Sequence, residues 1–237
     1  MKVVLLRVGI DTGAGGIHGP LFADGSFEYI PIPDGSGRDE RTYGNTMGRT
    51  GRPLIDYFPE ARRPRMSERS MHVDPEFDTF TYGDPGPAKR GLARLEPGDL
   101  LVFYAGLEGW DYPSPPALYI IGYFEIAYAG LAGQFSARQR SELFAANAHV
   151  RIPMTFAEQP ADLVLVKGRT RSRLLSNAVL ISATGRNRAG QPLKILSPEM
   201  QGIFGHFEGK VSIQRSPARL VAPDFVERAG SFVRSLT

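Results

Sequence analysis

The sharpest chemistry in this sequence lies in residues 71–85, MHVDPEFDTFTYGDP. His72-Val73-Asp74 sets an imidazole and a carboxylate two residues apart, so on a strand both point to one face. With a distant histidine added, His149 or His206, the set becomes the two-histidine, one-carboxylate pattern of non-haem Fe(II) oxygenases. The 2-oxoglutarate class also needs an arginine beyond the distal histidine. Arg151 is too near His149 for that, and Arg215 is only a passable match beyond His206. The preferred reading is no metal and no cofactor, with Asp74, Glu76, Asp78 and Asp84 in a hydrogen-bonded loop punctuated by Asp-Pro turns. The set His72, Asp74 and His149 stands as the metal-binding alternative. A third reading has these carboxylates and Tyr82 lining a pocket that reads a base edge, because carboxylates accept hydrogen bonds from base amino groups. For acid/base catalysis the candidates are His72, Asp74 and Asp11.

Asp11 lies in a glycine-rich loop, GIDTGAGGIHGP, residues 9–20. Glycines allow positive φ and close approach of a ligand, and successive free N–H groups can form an anion nest. Gly13 and His18 are therefore ligand-binding candidates. The loop is not a Walker loop, since no Gly-Lys-Ser/Thr follows. It is not a good dinucleotide fingerprint either, because Gly19-Pro20 and a second strand stand where a helix should begin. The plainer alternative is a hairpin loop.

Two aromatic residues join the ligand-binding set: Tyr104, and Trp110, the one tryptophan of the chain. Trp110 sits between turn formers in GWDYP, where it serves either as a platform for a stacked base or as a lid. Lys167, Arg169, Arg171 and Arg173 are four basic residues in seven, directly after the apolar run DLVLV. They are the phosphate-binding candidates, the alternative being the start of a solvated helix. Residues 34–70 interleave eight arginines with Tyr43, Tyr57 and Phe58. That mixture suits single-stranded nucleic acid, or a solvated loop.

The elements that must position these residues centre on 98–130. Leu100 to Tyr104 and Leu118 to Tyr128 are apolar runs that read as two strands at the middle of a sheet or small barrel, and Gly122 marks a bend or bulge. Residues 2–8 read as a first strand. Asp24-Gly25 reads as a tight turn. Arg90 to Leu95 reads as a short helix, and Leu54 to Phe58 as a helical turn. Ser136 with Gln139 predicts a capping box and a helix to Ala148, with His149 as its cap or as a core histidine whose ring is satisfied. A closing helix is expected over 222–236.

Composition narrows the class. At 237 residues, 42% hydrophobic and 22% charged, the chain is an ordinary globular protein. Cysteine is absent, which excludes disulfides, thiolate metal sites and cysteine nucleophiles. No apolar run approaches the ~20 residues a spanning helix needs. No membrane partner is expected, and the N-terminus reads as a strand and not a signal peptide, so a cytoplasmic location is expected. Net charge is +3, and only five of the 28 basic residues are lysine. Arginine suits phosphate and base contacts, although a GC-rich genome raises arginine, alanine, glycine and proline together.

Residues 92–100, LARLEPGDL, followed by Phe103-Tyr104 and then IGYFEI, resemble the core of PUA-like domains of the EVE and ASCH branches. That resemblance implies a small β-barrel with a cleft for nucleic acid or a modified base. The opening RVGIDTGAGGIHGPLFADGSFEYIPIPD, with HVDPEFDTFTYGDP and GDLLVFYAGL, resembles the third family of nucleotide modification associated domains nearly end to end. The expectation is an α+β protein of one elaborated domain, 1–237, with a mixed sheet or PUA-like barrel, flanking helices, a central strand pair in 92–130 and an irregular insertion over 34–70. The expected function is binding of nucleic acid or a modified nucleotide in the setting of nucleotide modification. The alternatives are an enzyme acting on a base or nucleotide, and a non-catalytic interaction module. No oligomeric state is assigned.

Overall fold

The computed structural model describes every residue except 153–156, 158–160, 215 and 216, so Arg215 lies outside the described residues. Leu100 to Leu107 are buried without interruption, which is why the chain here forms a strand covered on both faces. This strand, β6 (Leu100–Gly109), pairs antiparallel with β7 (Ala117–Leu131) from Leu100↔Glu125 to Leu107↔Ala117. Around the pair lie β1 (Val3–Arg7), β2 (Gly19–Leu21), β5 (Thr81–Asp84), β8 (Val164–Gly168), β9 (Arg173–Leu180) and β12 (Arg219–Leu220). They make one eight-stranded mixed sheet in the order β12-β1-β6-β7-β8-β5, with β2 also on β6 and β9 also on β7. β1 and β2 run parallel to β6, and the other pairings are antiparallel.

The sheet is open. Of the two expected forms, sheet or barrel, the barrel closure is corrected: β12 and β5 end the order at opposite edges and are not paired with each other. Gly122 is the expected irregularity. The register slips opposite it, between Phe103 and Tyr104, and again between Ile120 and Gly122 on the β9 side. A Cβ at Gly122 would lie 2.6 Å from the Arg173 carbonyl and 2.7 Å from the Phe77 ring, so only glycine fits the crossing.

Helices cover the sheet and its ends. Ser136 and Gln139 form the predicted reciprocal cap on α2 (Ala137–Phe144). The helix stops at Phe144, short of the expected Ala148. Asn147 then starts a new turn, α3 (Ala148–Arg151), by accepting from the His149 amide at 3.0 Å. The closing helix runs over Val226–Ser235. Residues 169–172 form a turn into β9, so the alternative of a solvated helix after Lys167 is corrected.

Three apolar clusters result. The largest lies on the sheet around Phe103, Phe124 and Tyr82. A second gathers Ile10, Ile30, Tyr43, Leu54, Tyr57, Phe58, Met66 and Met71, many of them from the arginine-rich residues 34–70. It carries β4 (Met71–His72), which pairs with β3 (Ile32–Pro33). The third, around Phe135, Phe144, Leu163 and Leu165, underlies α2 and α3. Among the described residues, no helix is long and apolar enough to cross a membrane.

Candidate active site

A cavity of about 600 Å³ opens where β4, β5 and α3 come together beside the glycine-rich loop. Its wall includes Arg7, Asp11, His72, Asp74, Tyr82, Asp84, Lys89 and His149. Each element delivers its residue for a local reason. Buried Met71 anchors β4 in the second cluster, so His72 beside it turns the other way, toward the cavity. Asp74 lies beyond the strand end. The Gly83 amide of β5 donates to both of its oxygens, at 3.1 and 2.9 Å, and the Tyr29 hydroxyl donates to its carbonyl at 3.0 Å. His149 arrives from α3, fixed by the Asn147 cap.

His72 and His149 present their Nε2 atoms to the same oxygen, Asp74 Oδ2, at 3.8 and 3.7 Å. Their rings stand edge to face with centroids 4.7 Å apart. Asp74 and His149 are buried, while His72 keeps a quarter of its side chain exposed toward the cavity. Neither ring nitrogen of His149 has a partner at hydrogen-bonding distance and angle, and the nearby Gly83 backbone only weakly favours its protonated form. The expectation of a core histidine with a satisfied ring is therefore corrected. Burial pulls the His72 imidazole down and takes His149 to about 4, with His72 adding to the effect there. The same burial pushes the Asp74 carboxyl well up, against the Gly83 amide. Charge on any one of the three is disfavoured by burial.

The rim is polar. The Tyr82 hydroxyl donates to Asp84 Oδ2 at 3.1 Å, and Lys89 Nζ stands 3.6 Å from the same oxygen. Burial raises the Tyr82 phenol well above its ordinary value, so it stays a donor. Sequence patterning passed over Arg7 and Lys89. The even spacing of Arg7 after the apolar run of β1 was the available signal for the first.

Asp11 is largely occupied by its own loop. Its Oδ1 accepts from the Gly13 and Ala14 amides at 2.7 and 2.8 Å, and its Oδ2 pairs with Arg7 at 3.0 Å. The amide expected to make an anion nest at Gly13 thus already serves a carboxylate. The loop has two faces. Gly9, Asp11 and Ala14 line the first cavity, whereas His18 lines a second one of about 540 Å³ with Tyr57, Arg63, Glu108 and Trp110. There Trp110 is 42% exposed and meets the edge of Tyr57 at 5.2 Å, and His18 pairs with Glu108 at 3.3 Å. Tyr104 is in neither cavity wall. It is fully buried in β6 and donates to the Ile213 carbonyl at 3.0 Å.

The four phosphate candidates lie apart from both cavity walls. Lys167 donates to the Thr79 carbonyl. Arg169 pairs with Glu125 at 3.2 Å, Arg173 lies over the Tyr123 ring at 5.9 Å, and Arg171 is exposed. His206 is exposed and accepts from the Gly209 amide, away from His72.

The family model described as nucleotide modification associated domain 3 matches residues 2–233. The chain belongs to that family. The name of nucleotide modification associated domain 3 points to a role in nucleotide modification. The matched span includes all of the cavity residues named above. No curated protein and no solved structure matches the chain.

Proposed function

We propose that the first cavity binds a nucleobase or nucleotide and that the His72–Asp74–His149 cluster is the centre that acts on it. The observation that carries this reading is the convergence of three buried or half-buried titratable groups, one with an unpartnered ring, in the wall of a ligand-sized cavity. Membership of a nucleotide modification family supports a nucleobase or nucleotide as the ligand class. Tyr82 and Asp84 are a donor and an acceptor suited to a base edge, and Lys89 is a cation suited to phosphate. Arg7 and Asp11 clamp the glycine loop that forms part of the wall.

Calorimetric titration with nucleosides and nucleotides, on the wild type and on Lys89→Met, tests the reading. Micromolar binding that weakens about tenfold in the variant is expected for phosphorylated ligands. Absence of binding across the panel overturns it. Mass spectrometry of the ligand after incubation then separates chemistry from storage, with product expected from the wild type and none from His149→Ala.

A second feature favours nucleic acid over a free nucleotide. Trp110, exposed beside Tyr57 in the second cavity, offers a face on which a flanking base stacks. The likeness of the β6–β7 pair to PUA-like cores supports the same partner.

A further inference from the structure

We infer that His72, Asp74 and His149 together bind one divalent first-row transition ion, with further coordination positions open to the cavity. The inference deepens the reading of the same cavity and rests on it for what the ion is for.

The candidate ligand atoms of the three side chains all lie within 4.8 Å of one another. Both histidines use the same nitrogen, Nε2, toward the same carboxylate oxygen, at 3.8 and 3.7 Å. Those separations are too long for hydrogen bonds. Ligand bonds of about 2.1 Å set cis ligands roughly 3 to 3.5 Å apart, so modest side-chain rotation closes the triangle on an ion. The separations suit three donors around a shared centre better than three groups bonded to one another.

The second, independent observation is His149. It is 5% exposed, yet neither of its ring nitrogens has a hydrogen-bond partner. A buried imidazole without a partner is costly, and coordination through one nitrogen removes that cost. The carboxylate is oriented as a metal-bound carboxylate usually is. A backbone amide, that of Gly83, fixes its plane and leaves lone pairs toward the histidines.

The chemistry of the donors selects the ion. Two imidazoles and one carboxylate suit Fe(II), Mn(II), Co(II) or Zn(II), whereas Mg(II) and Ca(II) prefer oxygen sets. Three protein ligands leave positions for water or a substrate oxygen, and the same cavity wall carries Tyr82, Asp84 and Lys89. An ion there would polarise a base carbonyl or a phosphoryl oxygen, or bring a bound water to the substrate.

The test uses the full chain, stripped with a chelator and titrated with Co(II), read by visible absorption and by calorimetry. Uptake of one Co(II) per chain with d–d bands is expected, and no nucleotide is needed for it. Asp74→Asn and His149→Gln are each expected to weaken uptake by tenfold or more. His206→Ala is expected to match the wild type, because that histidine is exposed and does not belong to the cluster. Circular dichroism melts of the stripped variants show whether each has folded. His72→Gln, which alters the most exposed of the three ligands, provides a folded variant if the buried ones fail. Absence of Co(II) uptake by the folded wild type overturns the inference, as does equal uptake by folded His72→Gln. Nucleotide binding without Co(II) uptake leaves the cavity assignment standing and removes the ion. Co(II) uptake without nucleotide binding does the reverse.

Discussion

The Gly83 amide donates to both carboxylate oxygens of Asp74, across nine residues of chain. The pairing is possible because Gly83 has no side chain. A Cβ there would lie 2.9 Å from Asn147 Oδ1, 3.0 Å from His149 Cδ2 and 3.3 Å from Leu165. One backbone position thus orients Asp74 and also makes room for His149.

Gly83→Ala is therefore expected to displace the Asn147–His149 turn. The stability cost should be modest, roughly 1–2 kcal/mol for a buried overpacked methyl. Loss of function should be larger, because misplacement of about 1 Å at a reacting centre costs on the order of a hundredfold. Thermal melts together with product formation check this. A variant with wild-type turnover would show that Gly83 does not position the cluster.

Trp110→Ala should weaken binding to single-stranded nucleic acid by about 1–3 kcal/mol, the usual worth of one stacked base. Binding of a mononucleotide in the first cavity should be unchanged, because Trp110 lines the second. The melting temperature should fall little, since the ring is already 42% exposed. Fluorescence anisotropy with an oligonucleotide and calorimetry with a mononucleotide separate the two effects.

The basic cluster after β8 divides into residues with partners and one that projects outward. Arg169 pairs with Glu125, whose side chain is only 7% exposed and also meets Arg234 at 3.6 Å. Arg169→Glu is expected to cost about 1–2 kcal/mol of stability by placing like charge against a buried carboxylate. Arg171 is exposed, so Arg171→Glu should leave the melting temperature unaltered. If the cluster meets phosphate, Arg171→Glu should also flatten the slope of log affinity against log salt by about 0.7 on single strands. An unchanged slope would remove Arg171 from the phosphate interface.

Asp39 links α3 to the arginine-rich segment, pairing with Arg41 at 2.9 Å and with Arg151. Burial alone would push its carboxyl up. The hydrogen bonds from Arg41 and Arg151 outweigh that and hold it at about 2. A depressed folded value stabilises the native state above the ordinary carboxylate range near pH 4, and the gain is lost as pH falls through about 2. Asp39→Asn should cost on the order of 1 kcal/mol at neutral pH, since solvent reaches Arg41 and Arg151 and screens the pairing. The difference from the wild type should vanish between pH 4 and pH 2, which acid melts followed by circular dichroism would reveal.

How far the sequence foretold this arrangement depends on distance along the chain. The β6–β7 pair was legible because continuous apolar runs with a mid-strand glycine leave few other forms. The Ser136–Gln139 cap was legible because its signal is four residues long. His72 and Asp74 were readable as neighbours from strand alternation, although β4 ends at His72 and Asp74 reaches the cavity from a turn. His149 was harder. Its place depends on Asn147 restarting a helix that periodicity continues without a break, and on Gly83 leaving room. Tyr43, Leu54, Tyr57, Phe58 and Met66 have no common period, because they lie on loops and short helical turns. Their arginine-rich surroundings therefore concealed a cluster that packs. The fate of the Gly13 amide was illegible for another reason: nothing in the spacing shows that the Asp11 carboxylate folds back to take it.

The lining of one cavity by β4, β5 and α3 has a consequence for motion. Met71, next to His72, belongs to the cluster built on 34–70; Val150, next to His149, packs against the one under α2 and α3; and Tyr82 belongs to the cluster on the sheet. Each cluster is a separate unit of local opening, and the two smaller ones should open at lower free energy than the sheet. A ligand that touches all three acts as a clasp. When it binds, amide exchange should slow in step around Met71, Val150 and Tyr82, although those residues are far apart in the chain. The proposed ligand site and the mechanical joint of the protein would then be the same place, and occupancy could be read from the breathing of segments distant from one another in sequence.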